Sequence, residues 1–529
     1  METYDYIVVG AGSAGCAVTN RLVTAGKRVL LLEAGPHDRT FWVKVPVGFV
    51  RVLGTERAWI YETETQKSAG GRKMFVPQGR MLGGGSSLNG MVYMRGNRAD
   101  YDAWRDEFGC AGWGWDEVLA AFRKSEGNQR LSNAWHSTAG PQKVSDQRHR
   151  HPLSYAFVRA AQEAGLVFND DFNGERQLGC GFYQTTTFNG QRASTATTYL
   201  APVMGSQNLR VVTDAHVEAV TLENGAASGI SWRSAGGQRG AAAVREEVIL
   251  AAGALATPKI LMLSGIGPAA DLAALGIPVM RDVPEVGKNY QDHLECSIYG
   301  RTKEPISLFG ADRGLKALRS GAEYLFFRSG LLTSNGVESG GFIDTEGTGS
   351  PDIQIHTLPM LVGDVGRDPL PGHGISINPC HLKPKSRGRM TIRSRETMEP
   401  IRLEANYLSE QYDVDAMVRG IKWARKILRQ PALKTLIAEE LLPSNDDNAP
   451  DSVIEDHVRR YAKTTYHPSG TCRMGRDDGA IVDPTLRVKG VPRLRIADAS
   501  IMPRLPSGNT NAPSIMIGER CAEFILGRR

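Results

Sequence analysis

The sequence predicts an α/β fold, α+β overall, and three observations predict it. The chain opens with a β-branched run, "YDYIVVG", followed by "GAGSAG" and then by apolar residues at helical spacing. Runs of the same strand type recur in the middle and near the C-terminus. Two less regular regions, 152–198 and 298–463, mix helical patterns with short strand-like runs. The segments 1–151, 199–297 and 464–529 therefore read as one Rossmann-like domain. The regions 152–198 and 298–463 read as a second domain inserted in two pieces, with helices and a mainly antiparallel sheet.

The elements follow in order. "YDYIVVG" has the continuous apolar character of a buried parallel strand. Ala17, Val18, Leu22 and Val23 then mark one face of a helix, and Gly26 stops it. "RVLLLEAG" is a second buried strand ending at Glu33. The glycine-rich stretch near 79–90 is expected to open another helix. Further strands are predicted at "NLRVVTDAHVEAVTLENG", "EEVILAAGA" and "RLRIADAS". In the inserted domain, "LKALRSGAEYLFF" has a helical pattern, while "DIQIHTL" and "RMTIRS" read as strands. No internal repeat or low-complexity tract occurs.

Bulk properties exclude several classes. The chain has 529 residues, 41% of them hydrophobic and 23% charged, as in a soluble globular protein. A net charge of +6 is small for this length, and no long run of like charge appears. Nucleic acid is therefore not an expected partner. Seven cysteines lie without CxxC spacing, which fits thiols in a reducing compartment better than disulfides or zinc. No apolar run approaches the roughly 20 residues of a membrane span, so no transmembrane segment is expected. The N-terminus lacks the basic start of a signal peptide. A cytoplasmic location follows as the expectation, with peripheral membrane association left open.

Three motifs carry chemistry. In Gly10-Ala11-Gly12-Ser13-Ala14-Gly15, the first glycine makes the tight turn. The second lets a pyrophosphate approach, and the third lets the helix pack on the strand. The phosphates then face a helix N-terminus. Glu33 lies 23 residues after Gly10, at a strand end where a carboxylate accepts from ribose hydroxyls. NAD and FAD both use this arrangement. The second motif, "GRMLGGGSSLNGMVYMRG" (79–96), has three consecutive glycines that let backbone lie flat on a ligand. The third, "GALATPKILMLSGIG" (253–267), reads as a helix N-capped by Thr257 with Pro258 in its first turn.

Together these motifs resemble those of the glucose–methanol–choline (GMC) oxidoreductases, flavoproteins that oxidise alcohols. "WHSTAGP", "VGKNYQDH", "KPKSRG", "YHPSGTCRMG" and "RIADASIMPRLPSGNTNAPSIMIGE" extend the resemblance along the whole chain in the family's order. The resemblance implies FAD. It places Gly10, Gly12, Ser13, Ala14 and Gly15 at the pyrophosphate and Glu33 at the adenosine ribose, with Ala34 and Arg80 nearby. Gly84, Asn89, Gly90, Met91 and Val92 would run along the pyrophosphate and flavin, and Val217 would lie on the adenine side. Asp498, Ala499 and Asn511 would come from the C-terminal segment. Some members attach flavin to a histidine just before the position of Asn89; Leu88 stands there, so non-covalent FAD is expected.

Alcohol oxidation needs a base near neutral pKa. His467 matches the family's catalytic histidine, and Pro468 restricts its backbone to extended geometry. The second active-site residue falls at Asn509, whose amide orients the substrate oxygen but is no base. Asn511 is expected to N-cap a C-terminal helix with Pro513 in its first turn. That helix N-terminus would face the flavin pyrimidine edge. His136, His293 and His381 are read as structural. Zinc at His467 and Cys472 is disfavoured because no partner ligand pair appears, and Cys472 reads as a small buried residue.

"SEGNQRLSNAWHSTAGP" and "HLKPKSRGRMTIRS" are similar to the bacterial L-sorbose dehydrogenases, near the choline-dehydrogenase branch. A sugar or polyol such as L-sorbose is therefore the expected substrate, with a quinone or dye-like electron acceptor. Alternatives are an oxidase using O2 on choline-like, polyethylene glycol or other alcohols, and a hydroxynitrile-lyase-type enzyme. The "SEQYDVDAMVRG" region departs from the family pattern after "NYL". Leu88 gives the first prediction: acid precipitation releases yellow flavin into the supernatant. Flavin retained on the precipitate would refute non-covalent binding.

Overall fold

The strand Glu2–Val9 pairs in parallel with Val29–Leu32 on one side and with Arg239–Leu250 on the other. All four side chains of Val29–Leu32 are buried, each contributing about 1.5–3 kcal/mol by leaving water. The computed structural model describes residues 1–363 and 370–527; the parts of the predicted segments at 364–369 and 528–529 lie outside the described residues. Leu209–Val212 extends the sheet in parallel beyond Val29–Leu32. Leu494–Ile496 adds to Arg239–Leu250 in parallel, and Ala226–Ser234 and Ala215–Glu223 continue the sheet as antiparallel strands. Seven strands thus come from both ends and the middle of the chain.

Helix Ser13–Thr24 packs back on this sheet. A Cβ on Gly15 would lie 1.9 Å from the Gly10 carbonyl oxygen, so only glycine lets helix and strand turn approach this closely. The C-terminal helix, Asn511–Leu526, crosses the first at Gly518, where a Cβ would meet the Ala14 carbonyl at 2.5 Å. Arg21 pairs with the buried Glu519 at 2.7 Å across the same contact, and Tyr199 donates to Glu519.

The second sheet has eight strands. Ile437–Leu442, Ile298–Thr302, Gly374–His381, Ile353–Leu358, Ser339–Ile343 and Gly179–Phe182 pair antiparallel in that order. Two short strands, Leu294–Glu295 and Lys463–Thr464, pair with each other, and the first also pairs with Gly374–His381. Helix Gln411–Leu428 packs on Gly374–His381. The mixed α/β architecture, one largely parallel sheet and one antiparallel, is the fold class read from the sequence.

Local readings differ in three places. The 79–90 stretch forms only a single 3-10 turn, Gly84–Ser87, because Gly83 and Gly84 take positive φ and interrupt helical winding. Thr257 is inside helix Ala256–Leu263 rather than capping it, and its hydroxyl donates to Asp498 at 2.6 Å. Asn511 is the first helical residue after the cap Thr510, and its Oδ1 accepts from Ser13 at 2.7 Å.

His136, from "WHSTAGP", is a structural residue held between two carboxylates. Its Nδ1 faces Glu126 at 3.0 Å and its Nε2 faces Asp171 at 3.0 Å. The fully buried Arg95 also pairs with Glu126. Burial alone would lower the His136 pKa, but the bonds to Asp171 and Glu126 outweigh it and raise the value. A histidine so held stabilises the fold fully below its unfolded pKa of about 6.5, and loses that contribution as pH rises through its higher folded value. The melting temperature of His136→Gln should therefore fall furthest short of wild type below about pH 6.5, with the gap closing at alkaline pH. A gap that widens with pH would refute the charged state of His136.

Candidate active site

The parallel strands Glu2–Val9, Val29–Leu32 and Arg239–Leu250 end at one rim, and Val9, Leu32 and Ala251 there line a cavity of about 710 Å³. Ligands of open parallel sheets bind at this end of the strands. Two glycine loops form its floor. A Cβ on Gly84 would sit 2.7 Å from the Gly12 α-carbon, so the loops touch backbone to backbone. At Gly85, Gly90 and Gly253 an added Cβ would meet nothing within 4 Å. Helix Ser13–Thr24 starts at Gly12 with no side-chain cap, and Gly12, Ser13 and Ala14 line the cavity. Its free amides and partial positive charge suit a phosphate. Glu33 is buried beside them and accepts from the Ala11 and Gly35 amides, both at 2.9 Å. Burial pushes its carboxyl up to about 7. A bare-glycine cradle, an uncapped helix start and a carboxylate at the strand end fit a dinucleotide such as FAD.

All but two of the predicted site residues line this cavity. Gly15 lies beneath it, at the helix–strand contact. Arg80 lies outside the lining: it stacks over Trp59, donates to the Ala34 carbonyl at 3.3 Å and faces His216 Nε2 at 2.9 Å. Leu88 is buried in the lining and offers no nucleophile for covalent attachment. Asp498 accepts from the Gly253 amide, Thr257 and the Ser500 amide, tying the C-terminal segment to the Gly253 turn.

His467 and Asn509 meet in the same cavity, with Asn509 Nδ2 3.5 Å from His467 Nε2. The short strands explain His467's neighbour. Leu294 and Thr464 are directly opposed, and the Thr465 amide bonds the His293 carbonyl at 2.9 Å. The two rings therefore come face to edge, with His293 Nδ1 3.1 Å from His467 Nδ1. The Leu382 carbonyl lies 3.2 Å from His293 Nε2. A carbonyl only accepts, so His293 carries its proton on Nε2 and presents a bare Nδ1. Thr465 Oγ1 donates to the His293 carbonyl and so also accepts from His467. Both neighbours of His467 Nδ1 are thus acceptors. His467 carries its proton there, and its unprotonated Nε2 faces the cavity beside the Asn509 amine. Burial above all holds His467 well below the usual histidine value, so it is neutral. Burial likewise drives His293 down to about 3.

Two further contacts hold the pair. The buried Asp292 accepts the His467 backbone amide at 2.9 Å. Gln354 donates its amide to Asn509 Oδ1 at 3.1 Å, which turns the Asn509 amine toward the imidazole. Behind the glycine loop, Arg192 donates to the Ser86 carbonyl at 3.0 Å and to Asn89 Oδ1 at 2.8 Å, and burial pushes it down to about 9. His293, Gln354, Asp292 and Arg192 were not read as site residues from the sequence. The motif "VGKNYQDH" covers Asp292 and His293, no motif covers Gln354 or Arg192, and no spacing marked the contacts. Cys472 is wholly buried, and burial lifts its thiol well above the usual range.

The fold and cavity define a class first: a dinucleotide-dependent oxidoreductase built on a Rossmann-like domain. Comparison with known proteins then gives the family. The GMC oxidoreductase N-terminal model matches residues 4–295 and the C-terminal model residues 384–518. An alcohol dehydrogenase [acceptor] of Pseudomonas putida is 44% identical, over 99% of this chain and 96% of that protein. Human mitochondrial choline dehydrogenase is 40% identical, over 100% of this chain and 90% of that protein. The crystal structure of pyridoxine 4-oxidase from Mesorbium loti superposes with a TM-score of 0.90 at 29% identity, over 99% of this chain and 100% of that one. The chain belongs to the GMC oxidoreductase family. It is an FAD-dependent oxidoreductase that acts on CH–OH donors.

Proposed function

We propose that the chain oxidises an uncharged primary or secondary alcohol, of the sugar or polyol type such as L-sorbose, to the carbonyl, and passes the electrons to a quinone or dye-like acceptor. The observation that carries this reading is the unprotonated Nε2 of His467 in the cavity beside the Asn509 amine, with two acceptors on Nδ1. In this reading the segments 1–151, 199–297 and 464–529 form the FAD-binding domain, and 152–198 and 298–463 the substrate-binding domain, of which 298–463 lines the cavity.

His467 Nε2 takes the hydroxyl proton of the substrate. Burial keeps the ring unprotonated at neutral pH, as a proton acceptor requires, though further below neutral than the base expected from the sequence. Asn509 donates its amine to the same oxygen as negative charge builds there, with Gln354 holding the amide in orientation. Asp292 fixes the backbone of His467, so the ring turns only about its own side-chain bonds. When bound, FAD supplies the acceptor for the hydride that leaves the carbinol carbon. His467→Ala should slow anaerobic flavin bleaching by alcohol about 10²–10⁴-fold while FAD stays bound. Bleaching at near wild-type rate would remove His467 from the reaction.

The charge of the chamber supports an uncharged substrate. Glu295 lies directly across the ladder from Lys463, and both line the cavity near His467. Lys463 Nζ is 3.6 Å from Glu295 Oε1, and His356 Nδ1 is 3.5 Å from Glu295 Oε2. Burial pushes the Glu295 carboxyl up, but the His356 bond and the Lys463 charge outweigh it and keep it ionised. Lys463 is thus a resident counter-ion where the ammonium of choline would need a free carboxylate. Aromatic rings do line the cavity, Tyr466 beside His467 among them, so the discrimination against a cation rests on Lys463. Wild type should therefore use neohexanol, the uncharged shape-mate of choline, with kcat/KM at least about tenfold above that for choline. Lys463→Met should shift the ratio toward choline, and adding Glu295→Gln should cancel that shift. A wild type that prefers choline would overturn the uncharged substrate. Hydrogen peroxide yield against dye reduction separates an oxidase from the proposed dehydrogenase.

A further inference from the structure

Helix Gly314–Phe327 turns its apolar stripe outward. Leu315, Leu318, Ala322, Leu325 and Phe326 follow helical spacing on one face. Leu315 is 83%, Leu318 70% and Phe326 80% exposed. Tyr324, on the opposite face, is the helix's buried residue and anchors it to the protein. Phe327, one residue further, is 74% exposed. On the Tyr324 side of the helix, Phe41 meets Tyr324 edge to face at 6.1 Å and Trp42 at 5.2 Å, and Phe41 and Trp42 are both exposed. Scattered apolar side chains on a surface are ordinary, but a continuous patch of leucine and aromatic tips is not.

The rim of this patch is basic. The segments 38–51 and 312–328 hold seven basic residues, Arg39, Lys44, Arg51, Arg313, Lys316, Arg319 and Arg328, against three acidic ones, Asp38, Asp312 and Glu323. Arg51 covers the Trp42 ring at 5.4 Å, and Lys316 and Arg319 are exposed along one edge of the stripe. Apolar tips rimmed by long cationic side chains match the interfacial helix of a peripheral protein. The apolar face enters the boundary between headgroups and acyl chains, and the cations stay among anionic headgroups. Among the described residues no helix is long and apolar enough to cross a membrane, so the stripe suits lying on a bilayer rather than spanning it.

We propose that helix Gly314–Phe327 and the adjoining Phe41–Trp42 surface form a docking face for an anionic lipid bilayer. The proposal has a geometric link to the cavity. The chain that carries Phe41 and Trp42 runs on to Phe49 and Leu53, which line the cavity. Docking through this face therefore sets the cavity wall close to the membrane surface, where quinone-type acceptors concentrate.

The test is cosedimentation of the holoenzyme with vesicles, containing phosphatidylglycerol or made of phosphatidylcholine alone. Wild type should bind the anionic vesicles and release as salt is raised. The double substitution Phe326→Ser and Phe327→Ser should cut the bound fraction at least about tenfold with flavin retained. Lys316→Glu with Arg319→Glu should abolish the preference for phosphatidylglycerol. No binding by wild type would overturn the proposal without any variant being folded. Equal binding by the serine variant would overturn it as well. So would a lipid-free wild-type dimer that the serine substitutions split, since the face would then belong to a second copy of the chain.

Discussion

Gly84 lies so close to Gly12 that there is no room for a methyl group between the two backbones. That contact brings the loop after the first strand against the loop around residues 83–90 and makes the floor of the cavity. The rest is arranged around the floor. Helix Ser13–Thr24 aims its uncapped start at it, and Asp498 ties the C-terminal segment to the turn at Gly253. Arg192 braces the second loop from behind through Ser86 and Asn89. A side chain larger than hydrogen at Gly84 would part the loops, and the surfaces that depend on their spacing would move with them.

His467 stands just beyond two short strands that pair side by side in the second sheet. Leu294 and Thr464 are opposed there, which forces His293 and His467 into contact. A run of hydrogen bonds from the Leu382 carbonyl through His293 then decides which nitrogen of His467 is bare. The sheet junction is thereby a chemical device as well as a connection. Strand pairing sets the ring spacing, and ring spacing sets the tautomer. The amide of Gln354, on a central strand of the second sheet, reaches Asn509 in the C-terminal segment, so sheet and segment share one hydrogen-bonded cluster.

Much of this was legible in the sequence because the signals were local. Gly10, Gly12 and Gly15 lie within six residues, and the helix that follows shows its own period and its own stop. His467 and Asn509 came from resemblance, since neither spacing nor composition distinguishes a basic imidazole from a buried one. What was missed depends on distance along the chain. His293 and His467 are 174 residues apart, and Gln354 and Asn509 are 155 apart. No local pattern encodes such a contact. The misplaced caps at Thr257 and Asn511 have a different cause. Each side chain had a tertiary partner, Asp498 and Ser13 respectively, that competed with capping its own helix.

The seven cysteines, unremarkable as a set in the sequence, have a collective meaning in the fold. All seven are free thiols and all are buried. Burial raises Cys16, Cys110 and Cys521 to about 12 and Cys180 to about 11, and it lifts Cys296, Cys380 and Cys472 as well. Oxidants and electrophiles attack thiolates that they can reach. This protein presents none, so peroxide formed by stray electron transfer to oxygen finds no sulfur to oxidise at these positions. Durability under turnover is then a property of where the thiols are packed, and a working catalyst can tolerate an oxidising medium without disulfides to protect it.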